Sequence, residues 1–144
     1  MRNPYNEIEC SDHYARAMAS YGAFIATCGF ECHGPKGHIG FAPRLNPGNF
    51  KAAFTTAQAW GTIRQQRTAE FQKQEIEVKW GTPKLKSFAF EIPQDKKPAG
   101  VKVVCHEKPL PADFETKGAR LHIVLKDTVT IKSSRSIRVN IDFV

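Results

Sequence analysis

Apolar and polar positions alternate with two different periods along this chain, and the change comes near residue 67. Tyr14, Met18, Tyr21, Ile25 and Cys28 recur at steps of four and three, which is one face of a helix. Ala15, Ala19, Gly22 and Ala26 form a second stripe of small residues. Ser11 is a good N-cap, Asp12 puts a negative charge in the first turn, and Gly29 can cap the end. The pattern predicts a helix from about Asp12 to Cys28. After Arg16 it is apolar nearly all round, and a helix of that kind must be surrounded. No second strong helix follows, so its neighbours are expected outside these 144 residues.

Residues 30–49 contain three Pro and several Gly and read as loop. Residues 50–66 lean to strands through Thr55, Thr56, Thr62 and Ile63. Beyond them the period is two. Ile76, Val78 and Trp80 alternate, as do Phe88 and Phe90, then Val101, Val103 and Cys105, then Leu121, Ile123 and Leu125. Val129 and Ile131 with Ile137 to Phe143 read as a last strand pair around Ser133–Ser136. Five to six strands with frequent turns suggest a small sandwich. The fold expected is therefore α+β: one long buried helix followed by a small antiparallel, sandwich-like β region. The division expected is 1–67 and 68–144.

Composition narrows the function classes. At 41% hydrophobic and 24% charged the chain is globular in character, and its length excludes a large catalytic barrel of roughly 250 residues. The longest uncharged stretch, Ala17 to Phe30, is too short and too polar for a bilayer span of ~20 apolar residues. No signal peptide follows Met1, so a cytoplasmic, reducing compartment is the default expectation. The net charge of +7 invites a nucleic-acid reading, yet the excess is spread over both halves and no basic run exceeds Lys96-Lys97. No nucleic-acid partner is expected. Cys28, Cys32, His33 and His38 are close in sequence, but the spacing fits a zinc knuckle poorly, and buried free thiols are the expectation. No metal or cofactor is expected.

The chemistry-bearing residues crowd at the start. Glu7, Glu9, Asp12, His13 and Arg16 fall within ten residues, at the mouth of the expected helix. That is a reasonable place for a binding site, with simple helix capping as the alternative. Glu7 and Glu9 are two apart, so in extended chain their side chains point to opposite faces and cannot readily flank one glycosidic bond. There is no nucleophile elbow, no H-E-x-x-H and no phosphate loop.

The run Asn3-Pro-Tyr-Asn-Glu-Ile-Glu-Cys10, continued by His13-Tyr-Ala-Arg-Ala-Met-Ala-Ser-Tyr21, resembles the last active-site motif of glycoside hydrolase family 116. That is the family of the non-lysosomal glucosylceramidases and bile acid β-glucosidases. The likeness is dense over residues 2–30 and weak through Gly37–Arg44 and Ala59-Trp60-Gly61; Ser11 stands where Gly is usual. It implies that the helix is the last of an (α/α)6 barrel and that residues 1–67 end such a catalytic domain. It further implies that Glu7 accepts from sugar hydroxyls and Arg16 donates to one, as substrate-binding residues of a retaining enzyme. The catalytic carboxylate pair would lie upstream of the motif. The resemblance thus implies a β-glucoside as substrate of a parent enzyme, a missing N-terminal part of the catalytic domain as partner, and an isolated chain without hydrolase activity. The alternative is a non-catalytic carbohydrate-binding or interaction module, which exposed aromatics on one sheet face would favour. Trp80, Phe88 and Phe90 are the candidates, but their alternation reads as core.

Overall fold

The computed structural model describes residues 14–144, with side chains from residue 17 onward. One helix, α1 (Tyr14–Cys28), precedes eleven strands. These are β1 (Glu31–His33), β2 (His38–Phe41), β3 (Asn49–Thr55), β4 (Ala59–Arg67), β5 (Phe71–Gly81), β6 (Lys84–Glu91), β7 (Pro98–Cys105), β8 (Lys108–Leu110), β9 (Ala112–Lys117), β10 (Arg120–Thr130) and β11 (Arg135–Phe143). They form two sheets. One has the order β1-β2-β6-β10-β9, the other β3-β4-β5-β11-β7-β8. Among the described residues only β2 against β6 is parallel.

Alternation explains the layering. On β4, Ala59, Ile63 and Gln65 are buried while Trp60, Arg64 and Gln66 are exposed. On β11, Ile137, Val139 and Ile141 point inward from between polar residues. The inward sides of both sheets meet in one core that includes Phe41, Phe54, Ile63, Ile76, Phe88, Phe90, Leu121, Ile123 and Ile137. Each such side chain contributes about 1.5–3 kcal/mol by leaving water. Phe88 and Phe90 are therefore core, as their alternation indicates.

The expected α+β fold with a long buried helix is not what forms. The chain is mostly strand, and α1 is not enclosed. Residues 17–23 are exposed, including Met18 and Tyr21, while only the C-terminal end of the helix packs: Cys28 is buried, and Phe24 and Phe30 lie against the core. Apolar composition demanded cover for this helix, and the strands do not supply it. Its end is fixed by backbone. The amide of Ala42 donates to the carbonyl of Cys28 at 3.0 Å, and that of Arg44 donates to Thr27 at 2.9 Å. Gly29 has φ +55°, and a Cβ there would stand 2.4 Å from the carbonyl oxygen of Ala42.

Two further expectations are corrected. Residues 30–49 are not all loop: they hold β1, a 3-10 turn at Gly34–Lys36, and β2. Pro35 and the left-handed Gly37 shape that turn, after which Ile39 and Phe41 enter the core. The segments around Val129 and Ile137 are not one hairpin pair, because β10 and β11 belong to different sheets. Strand β4 pairs with β5 in one sheet across nine positions.

Three glutamines sit inside the sandwich: Gln65, Gln72 and Gln74. Gln74 donates to Gln65 at 2.8 Å, and Gln65 donates to the carbonyl of Pro47 at 2.7 Å. Arg67 reaches across to donate to the carbonyl of Glu91 on the other sheet, and to the side-chain oxygen of Gln72, both at 2.5 Å. Gln72 donates to the same carbonyl at 3.0 Å. Arg67 thus ties the two sheets where the apolar core ends.

Candidate functional site

The outer face of the six-stranded sheet carries an arrangement that alternation alone does not produce. Trp60 on β4 and Trp80 on β5 are directly paired across the ladder. Both are exposed, at 52% and 61%. Trp60 alternates outward in the ordinary way. Trp80 would fall inward with Ile76 and Val78, but the register shifts: Trp60 pairs with Trp80, whereas the next residue, Gly61, pairs with Val78. Lys79 is the extra residue of a β-bulge, and one extra residue exchanges the two faces of the strand beyond it. Trp80 therefore turns outward beside Trp60. The expectation that Trp80 is core is corrected by this bulge.

Local sequence accounts for the bulge. A Cβ on Gly61 would stand 1.9 Å from the carbonyl oxygen of Glu77, so only glycine lets the strands approach this closely. Gly81 has φ +90°, and a Cβ there would stand 2.1 Å from the carbonyl oxygen of Gln58. The hydroxyl of Ser133 donates to the carbonyl of Lys79 at 2.7 Å, capping the bulged residue. Each tryptophan is followed by glycine, and that repeated Trp-Gly pair is the sequence signal that could have revealed the face.

From the tryptophans the outer face continues as polar rows. Thr62 pairs with Glu77, Arg64 with Glu75, and Gln66 with Lys73. Lys51 on β3 adjoins Arg64, and Arg138 on β11 adjoins Glu75. A shallow groove of about 330 Å³ runs among Lys51, Arg64, Gln66, Lys73, Glu75 and Arg138. Arg138 donates to Glu75 at 3.2 Å, and Arg64 lies 3.9 Å from Glu75 and 3.6 Å from Glu77. Lys79 pairs with Glu77 at 2.5 Å. The hydrogen bond from Lys79 holds the Glu77 carboxyl below its ordinary range against the opposing effect of burial, helped by the charges of Lys79, Arg64 and Lys51. Lys73 stands 4.6 Å from the centre of the Phe71 ring. An apolar platform beside fixed, charged hydrogen-bonding groups can hold a ring that has one apolar face and many hydroxyls.

The other sheet's outer face is built differently. His38 on β2 bonds Ser87 at 2.9 Å through Nδ1 and Glu31 at 3.1 Å through Nε2, while Arg120 on β10 pairs with the same Glu31 carboxylate. Burial pushes that carboxyl up, but the bonds and charges of His38 and Arg120 outweigh it and bring it below its ordinary range. The residue types are those of a hydrolytic relay, yet the carboxylate is already held by Arg120. The cluster fastens the three-residue β1 to β2, β6 and β10. Cys32 is an exposed thiol on β1 at the rim of an apolar cleft of about 400 Å³, and burial raises its pKa, so it rests as the thiol. Cys28 and Cys105 are buried free thiols. Among the described residues no group of three or more metal-ligating side chains comes together.

The residues expected to touch sugar are not brought into view. Glu7 lies outside the described residues, as do Glu9, Asp12 and His13. Arg16 lies in the first turn of α1, with its side chain outside the description.

No family model matches the chain. No curated protein matches it either. Among solved structures, an α-L-rhamnosidase from Dictyoglumus thermophilum is similar at 16% identity with a TM-score of 0.47. The match covers 85% of this chain and 13% of that one. The relation is to a glycoside hydrolase at the level of a weak structural likeness, and membership of family 116 is not supported by it. No helix among the described residues is long and apolar enough to cross a membrane.

Proposed function

We propose that the chain is a non-catalytic, carbohydrate-binding β-sandwich module. The observation that carries this reading is the exposed Trp60–Trp80 pair on the outer face of the six-stranded sheet. Directly paired residues hold their Cβ atoms ~4.5–5.5 Å apart, so the two indoles make one continuous apolar platform. A large exposed aromatic surface is unfavourable unless a partner covers it. A pyranose ring offers an apolar face to such a platform, and its hydroxyls suit the Arg64, Gln66 and Glu75 groups of the adjoining groove.

The test is affinity electrophoresis of the whole chain in gels holding soluble polysaccharides. The wild type is expected to be retarded by at least one of them. Trp60→Ala with Trp80→Ala, which removes no buried side chain, is expected to migrate freely in the same gel. Equal retardation of both proteins would show that the platform is not the binding surface.

A second reading retains the similarity of residues 2–30 to the family 116 motif. In it Glu7 and Arg16 contact the glycone of a β-glucoside within a larger glycoside hydrolase. The exposed apolar surface of α1, with Met18 and Tyr21 facing solvent, favours it because such a helix suits a further protein surface. Under this reading the isolated chain has no turnover of an aryl β-glucoside, since Glu7 and Arg16 position substrate and break no bond. Measurable release of the aryl group by pure protein would contradict it.

A further inference from the structure

We propose that the ligand of the Trp60–Trp80 face is an anionic polysaccharide, whose acidic groups are taken by Lys51 and Lys73 while its rings lie on the indoles. The proposal rests on the carbohydrate reading of that face and narrows it to a substrate class.

Charge in the groove beside the tryptophans is out of balance. The groove is lined by four cations, Lys51, Arg64, Lys73 and Arg138, and by one carboxylate, Glu75. Glu75 is engaged by both arginines. Glu77, nearer the tryptophans, is engaged by Lys79 and Arg64. That leaves Lys51 and Lys73 with no carboxylate in ion-pair range among the described residues. Unpaired lysines occur on the other sheet too: Arg120, Lys117 and Lys126 are paired with Glu31, Glu115 and Asp113, while Lys84 and Lys86 on β6 have no ion pair among the described residues. In the groove the two unpaired lysines flank β4, the strand that carries Trp60.

Geometry joins the two features. Trp60 and Arg64 lie on one strand four residues apart, roughly 13 Å at the usual rise. Lys51 is the ladder partner of Arg64, and Lys73 that of Gln66, one outward step further on. A chain of sugars resting on the indoles and running along β4 passes between these lysines. Neutral hydroxyls would leave two ammonium groups unused. A carboxylate or sulfate on the sugar would pair with them, and association would be steered by charge and weakened by salt.

The experiment is calorimetric titration of the whole chain with polygalacturonate, dextran sulfate, a neutral soluble glucan and a single-stranded DNA oligomer, at low and high salt. Polygalacturonate or dextran sulfate is expected to bind more tightly than the glucan, and the preference between them tells whether carboxylate or sulfate is read. Lys51→Ala with Lys73→Ala, both on the surface, is expected to weaken that binding by roughly tenfold. Trp60→Ala with Trp80→Ala is expected to weaken it as well. If the glucan binds as tightly as the acidic polymers and the lysine variant matches the wild type, the anionic class is wrong while the carbohydrate reading stands. If no polysaccharide binds, the carbohydrate reading fails with it. If acidic polymers bind but the tryptophan variant binds equally, the attraction is that of a basic surface alone, and the proposal is overturned. Tighter binding of DNA through the same four residues would likewise overturn it.

Discussion

At the scale of single residues, the exposed face depends on glycine more than on tryptophan. Gly61 lets the carbonyl of Glu77 come within the space a Cβ would fill, and without that approach Lys79 cannot bulge. Gly61→Ala is expected to destabilise the chain by about 1–3 kcal/mol, the usual cost of overpacking. Urea denaturation measures it; an unchanged midpoint would show that the strands have room to part. The alternation of Ile76, Val78 and Trp80 gave no warning of this. A period-two reading assumes that every residue advances the strand by one step, and a bulge is the local failure of that assumption. Phe88 and Phe90 pair in unbroken register with Ile123 and Leu121, on one side of the irregularity that separates Ser87 from Leu85, so the same reasoning placed them correctly in the core.

Glu31 belongs to the same scale. Its carboxyl titrates below the ordinary range when folded, because the groups that favour its charge outweigh burial. A depressed carboxylate contributes stability that is fully present above its unfolded pKa and is lost as pH falls through the folded one. Glu31→Gln is therefore expected to melt below the wild type at neutral pH, with the difference shrinking as the solution is acidified below the usual carboxylate range. Thermal melts across that interval measure the gap. A gap that stays constant with pH would remove Arg120 and His38 as the cause.

At the scale of elements, the strands were legible and their partners were not. Turn residues and alternating Val, Ile and Phe mark β5, β6, β7, β10 and β11 clearly. Nothing local says that β10 and β11 lie in opposite sheets, or that β2 runs parallel to β6, since those pairings join residues far apart in sequence. The short elements between residues 30 and 49 were hidden by Pro and Gly, which here shape one tight turn and leave room for strands on either side. The buried glutamines escaped for a different reason: a polar residue at an inward position reads as a fault until its partners are seen. Arg67 is the keystone of that interior cluster. Burial lowers its pKa from the usual arginine value, opposed by the charge of Glu91, and it bridges the two sheets by hydrogen bonds. Arg67→Ala is expected to cost about 2–3 kcal/mol, because it strips a charged donor from the carbonyl of Glu91 and from Gln72. A loss below half a kilocalorie by chemical denaturation would mean that water replaces the guanidinium.

At the scale of the whole molecule, helix and sandwich make opposite demands. The sandwich buries its own apolar residues in one core between two sheets. Over residues 17–23 the helix keeps its apolar residues at the surface, while Phe24 and Cys28 pack toward the core. Its apolar character was plain in the sequence, and so was its end at Gly29. What composition could not say was whether the strands would close over it, and they do not. Glu7 and the side chain of Arg16 fall outside the described residues, so the two proposed sites are tested separately.

The face is the more direct to test. In a heteronuclear NMR spectrum of the labelled chain the two tryptophans contribute two indole N–H signals, since the chain has two Trp in all. On titration with a polysaccharide that binds, both signals are expected to move together and to saturate with the rest of the isotherm. Binding that leaves both indole signals where they were would place the ligand elsewhere and contradict the account.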